Sequence, residues 1–197
     1  MEARLKALIV GLITVPFLAF SGVLQEFTFA ILRKYGVPER DARLIAVTLE
    51  EESKIVPGAV DPLMMVAFGL VESMFRNKVG DNGKAIGYFQ LHEAAVFYVA
   101  NFYKDVREFK QIHRKHVDLL NYPDWQLKIA YRYVYLTLKN VYNGDILRTI
   151  SAYNGRSDRY NVYVERFFRF YSELISEFTR FQSGVRQETN SKTVSKR

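Results

Sequence analysis

Apolar residues along this 197-residue chain recur mostly at helical spacing, and few segments alternate apolar with polar positions. Phe27 to Tyr35 reads as a helix stopped by Gly36 and Pro38, and Arg40 to Ile55 as a second closed by Pro57 and Gly58. Asp61 and Pro62 have the chemistry of an N-cap and first helical residue, opening a third helix that runs through Leu63 to Ser73. Gly80, Asp81, Asn82 and Gly83 break the pattern between Arg76 and Ala85, so any β structure is expected within residues 76–90. Leu91 to Phe109 and Asp124 to Tyr142 read as helices, the second ended by Asn143 and Gly144, and a short helix from Asp145 leads to Tyr153. In the last helix, Tyr160 to Phe181, the residues Tyr160, Tyr163, Val164, Phe167, Tyr171, Leu174 and Phe178 form one apolar stripe, expected in the core. The fold class is mainly α.

The two ends differ from this middle. Arg4 and Lys6 precede Ala7 to Phe20, 14 residues without a charge, the pattern of a signal peptide with small residues at Ala19 and Ser21. Extended to Gln25 the uncharged stretch is 19 residues, close to the ~20 that span a bilayer, so an uncleaved anchor is the alternative. Either predicts export to the periplasm or cell envelope, or secretion, for a cellular or a viral protein. Ser183 to Arg197 is poor in apolar residues and rich in cations, and is expected to be a disordered basic tail. The expected division is therefore a leader or anchor over residues 1–24, one helical domain over 25–182 and a tail over 183–197.

A chain of this length with 49% hydrophobic residues can fill one core. Its 28 Lys plus Arg against 21 Asp plus Glu leave a net charge of +7, which favours an anionic partner without naming it. Peptidoglycan, an anionic membrane and nucleic acid all fit, although no nucleic-acid recognition motif accompanies the charge. Cysteine is absent, which excludes disulfides, thiolate metal sites and lipid-modified cysteine. His113 and His116 stand three apart without a third ligand, and the run Glu50, Glu51, Glu52 reads as a solvated face. Neither a metal nor an organic cofactor is implied.

Glu72 is the residue that composition does not explain. It follows the run Leu63, Met64, Met65, Val66, Ala67, Phe68, Gly69, Leu70, Val71, and a carboxyl among such neighbours should have a raised pKa, as suits a proton donor. The plainer reading is a helix-end carboxylate paired with Arg76 four residues on.

Taken with Glu72 and Ser73, the segments Val60–Asp61–Pro62, Gly87–Tyr88–Phe89–Gln90, Tyr135–Leu136 and Ala152–Tyr153–Asn154 follow in order, and this ordered set resembles the soluble-type lytic transglycosylases. The likeness covers about Val60 to Tyr171. It implies a lysozyme-like helical domain, akin to goose-type lysozyme, that cuts the β-1,4 bond between N-acetylmuramic acid and N-acetylglucosamine in peptidoglycan. One glutamate serves there as acid and then base, while the sugar's C6 hydroxyl closes a 1,6-anhydro ring. Carried over, Glu72 is the acid and base, Ser73 orients it, and Gln90 bonds a saccharide from the groove wall. Gly87 lets backbone approach the sugar, Tyr88 and Phe89 stack on sugar faces, Tyr153 brings its hydroxyl near the Glu72 carboxyl, and Asn154 holds its turn or touches substrate. The implied partners are glycan strands and, through the N-terminal segment, a membrane.

Departures from the family pattern touch the groove. Arg156 follows Gly155 where proline is usual, and Lys128 and Arg132 stand where Asn and Gly are common. No second carboxylate is marked as a partner for Glu72. A hydrolytic goose-type lysozyme and a non-catalytic wall-binding or assembly module are the alternatives.

Overall fold

The computed structural model describes residues 22–194 apart from 57 and 59, with backbone alone for 186–194. The expected leader lies almost wholly outside these residues. Helices α1 (Val23–Lys34) and α2 (Glu39–Ile55) pack as a pair, and α3 (Pro62–Ser73) follows. The chain then forms three two-residue strands, β1 (Val79–Gly80), β2 (Ala85–Ile86) and β3 (Leu91–His92). They make one antiparallel sheet in order β1-β2-β3, pairing Val79 with Ile86 and Ile86 with Leu91. Helices α4 (Glu93–Phe102), α5 (Lys104–Ile112), α6 (Pro123–Leu136), α7 (Ile146–Tyr153) and α8 (Val162–Val194) complete the described chain. It is mainly helical, and its small β region falls within residues 76–92.

The centre of the domain is α3. Every residue from Pro62 to Val71 is buried, so the helix has no polar face and must be surrounded by others. Asp61 caps it, its Oδ1 accepting from the Leu63 N–H at 2.8 Å, with Pro62 in the first turn. The Phe68 ring lies between Tyr153 of α7, centroids 4.5 Å apart, and Phe167 of α8 at 4.6 Å. Gly69 is required because a side chain there would strike the Phe75 ring, which folds back over the helix. Among the described residues, no helix is long and apolar enough to cross a membrane.

Four expectations are corrected. Leu91 and His92 are strand, and the helix expected to Phe109 breaks at Tyr103, where the chain is extended and Asp105 Oδ1 accepts from the Val106 N–H at 2.9 Å. The long helix from Asp124 changes pitch at its end, where Thr137–Val141 is a π-helical turn. The last helix continues unbroken to Val194, because Gln182, Arg186, Gln187 and Glu188 are good helix formers and no proline stops it. The basic segment expected to be disordered is therefore helical through Val194.

The fourth concerns Glu52, which is 1% exposed rather than solvated. Its carboxylate takes two hydrogen bonds from the buried Arg132 guanidinium, at 2.7 and 2.9 Å, and Arg132 also bonds Asp105 at 2.7 Å. The trio ties α2, α5 and α6 together, and its cation lies 4.3 Å from the Tyr103 ring. Glu50 is buried as well and pairs with Lys54 at 2.9 Å, leaving only Glu51 of the three exposed. Arg132→Met leaves the Glu52 charge buried without its counter-ion and should cost about 3–5 kcal/mol in urea unfolding. Adding Glu52→Leu should restore much of that loss.

Candidate functional site

Glu72 sits in the last turn of α3 and is half-buried, on the wall of a cleft of about 530 Å³. The chain leaves the helix sharply, with Met74 and Phe75 both in the left-handed region at φ 52°, and the Phe75 N–H bonds the Gly69 carbonyl at 3.2 Å. That turn frees the end of α3 to face the cleft while Phe75 returns to the core. The Tyr163 hydroxyl, from the first turn of α8, donates to Glu72 Oε1.

Burial pushes the Glu72 carboxyl up to about 7, while the Tyr163 hydrogen bond and the fields of Arg166 and Lys78 pull it down. The carbonyl end of α3 acts in the same direction as burial. Arg76 is not the partner of this carboxylate; its backbone N–H goes to Ser73 Oγ at 3.1 Å.

The segment Gly87–Gln90 forms the adjoining wall, and its contacts differ from those expected. Tyr88 and Phe89 are each 1% exposed and packed against Phe75, so neither ring is available to stack on a ligand in the cleft. The Tyr88 hydroxyl is held by Asp41 at 2.8 Å. Gly87, at φ 84°, is needed because a side chain would collide with Gln126 behind the loop, not because the cleft requires bare backbone.

Gln126 is fully buried and secures this loop, its Oε1 accepting from the Tyr88 N–H at 2.7 Å and its Nε2 donating to the Leu119 carbonyl at 2.7 Å. Ser73 Oγ donates to the Tyr88 carbonyl at 2.6 Å, so Ser73 joins the Glu72 helix to the loop and makes no bond to Glu72 itself. Gln90 does line the cleft, with its amide nitrogen donating to the Gly87 carbonyl at 2.7 Å.

Tyr153 and Asn154 reach the same cleft from the end of α7. The Tyr153 hydroxyl donates to the Phe89 carbonyl at 2.9 Å, not to Glu72, although the Glu72 charge helps burial raise its pKa well above the usual value. Asn154 is exposed and its Oδ1 accepts from Arg156 Nε at 3.3 Å. Glu72, Gln90, Tyr153 and Asn154 thus share one cavity, while Ser73, Gly87, Tyr88 and Phe89 build its support.

Sequence reasoning missed Tyr163, which lay within the apolar stripe of the last helix, and Asp81, which joins the cleft from the turn between β1 and β2. His92 Nε2 stands 3.5 Å from Asp81 Oδ2. His113 packs on Phe109 and Tyr122, and His116 on the Leu91 carbonyl, so the two histidines point to separate places.

No protein-family model, curated protein or solved structure matches this chain.

The raised carboxyl has a consequence for stability. The unfolded chain releases the Glu72 proton near 4.5 and the folded chain near 7, so stability falls as pH rises through that window and stays low above it. Glu72→Gln removes the titration and keeps an acceptor for Tyr163. It should gain about 1–2 kcal/mol over the native protein at pH 8, discounted for partial exposure, and little at pH 4, in denaturant titrations. Gly87→Ala should lose about 1–3 kcal/mol at either pH, from the left-handed backbone and the clash with Gln126.

Proposed function

We propose that this chain is a peptidoglycan lytic transglycosylase with a lysozyme-like helical domain. The observation that carries the reading is Glu72: a carboxyl with a pKa near 7, touched by a phenol, on the wall of a cleft that also presents an amide and a tyrosine. At neutral pH such an acid is protonated about half the time, and its conjugate base is strong enough to take the proton back.

In the first step the Glu72 proton passes to the glycosidic oxygen as the bond from C1 of N-acetylmuramic acid to O4 of N-acetylglucosamine breaks, with the muramic acetamido group stabilising the anomeric carbon. In the second, the C6 hydroxyl attacks C1, its proton returns to Glu72 and the 1,6-anhydro ring closes. The carboxylate formed between the steps is stabilised by Tyr163, Arg166 and Lys78.

One observation favours a second reading, hydrolysis as in goose-type lysozyme. Asp81 faces the same cleft from the β1–β2 turn and supplies a second carboxylate able to activate water. Mass analysis of muropeptides released from purified sacculi separates the two, since anhydro ends mark the transglycosylase and reducing ends the hydrolase. Sacculi bound without release would mark a non-catalytic wall-binding module.

Glu72→Gln should reduce release by at least about a thousandfold, and unchanged release would reject the assigned acid. Tyr163→Phe removes a hydrogen bond that favours the charged carboxylate, so the pKa of Glu72 rises further. The alkaline limb of the kcat/KM profile should then move to higher pH, with kcat down about ten- to a hundredfold.

A further inference from the structure

The groove does not end beside Glu72. Past Tyr133 it opens into a second hollow of about 520 Å³, and the two stretches share Ala95, Tyr133 and Ala152 as common wall. The far stretch is bounded by Tyr98, by Thr137 and Val141 of the π-helical turn, and by Arg156 at its rim. A π turn displaces side chains from regular helical positions, and such turns are frequent at binding sites.

Charge is distributed unevenly among the arginines around α7. Asp145 engages both Arg148, at 3.7 Å, and Arg159, at 2.8 Å. Among the described residues, the Arg156 guanidinium bonds Asn154 through Nε and no carboxylate meets its terminal nitrogens. An exposed guanidinium with free donors, at the rim of a groove walled by alanine and aromatic rings, suits a slender ligand that carries a carboxylate.

In peptidoglycan the muramic acid next to the cleaved bond carries a peptide stem on its O3, and the stem branches away from the glycan path. We propose that the groove beyond Tyr133 receives this stem, and that Arg156 determines substrate preference by binding one of its carboxylates. The inference rests on reading the Glu72 cleft as the glycan site.

The test compares glycan strands bearing native stems, strands whose stem carboxylates are amidated, and strands stripped of stems so that only the lactyl carboxylate remains. The protein should show a kcat/KM about five- to tenfold higher on native than on amidated strands, and Arg156→Ala should erase that preference while leaving amidated strands unaffected. A preference for native over amidated strands that survives undiminished in Arg156→Ala overturns the proposal. A loss on stripped strands as large as on native ones also overturns it, by assigning the arginine to the lactyl group.

The stem-bearing disaccharide N-acetylglucosaminyl–N-acetylmuramic acid lacks the bond to be cut, so its Kd, native against amidated, reads Arg156 independently of turnover. If no strand is cleaved but Arg156→Ala still removes the preference in Kd, the catalytic reading fails and the stem site stands. If all strands are cleaved and Kd is indifferent to Arg156, the stem site fails alone.

Discussion

A helix without a polar face can be solvated only at its ends, and α3 is such a helix. Its burial from Pro62 to Val71 leaves Asp61 and Glu72 as the two acidic groups at its limits. Asp61 is already engaged, capping its own first turn and accepting from the Tyr171 hydroxyl. Glu72 caps nothing: it follows the unbroken buried run, where the carbonyl end of the helix already disfavours negative charge. The left-handed pair Met74 and Phe75 then turns the chain away before it can cover the carboxyl. The cleft exists where it does because the core helix ends there.

The adjoining wall is fastened from behind. Three separate side chains bond the backbone of Tyr88 and Phe89: Gln126 to the Tyr88 N–H, Ser73 to its carbonyl, and Tyr153 to the carbonyl of Phe89. Each comes from a different helix, α6, α3 and α7. The loop is thereby fixed relative to Glu72 without using the rings of Tyr88 and Phe89, which are left to fill the core beside Phe75. Residues of one short motif therefore divide between two tasks, with Gln90 alone of the four turned toward the cavity.

This division shows what a sequence can carry. Helix limits at Asp61, at Asn143 and Gly144 and at Asp145 were legible because capping and turn chemistry is local. Glu72 was legible because a carboxylate contrasts with nine apolar residues before it. Orientation was not: nothing in Gly87–Gln90 states which side chains face inward, since the loop follows neither a helical nor a strand period. Tyr163 was hidden because a phenol at helical spacing fits a core stripe equally well, and only its tip distinguishes the two roles. Glu52 was hidden because its partner Arg132 lies 80 positions away, a pairing that no window along the chain contains.

The surplus of seven positive charges also changes meaning once the fold is known. Arg132 is paired in the interior, Arg148 and Arg159 share the single carboxylate of Asp145, and none of the three is among the cations that act on Glu72. Arg166 and Lys78 act there instead, and their effect on Glu72 is to oppose burial. Burial alone would keep the carboxyl protonated and make it a poor donor, because its conjugate base would find no stabilisation. Phenol and cations alone would hold it ionised at neutral pH, with no proton to give. Only the two influences together leave an acid whose two forms are close in free energy at pH 7, which is the condition for a single group to release a proton and then recover it.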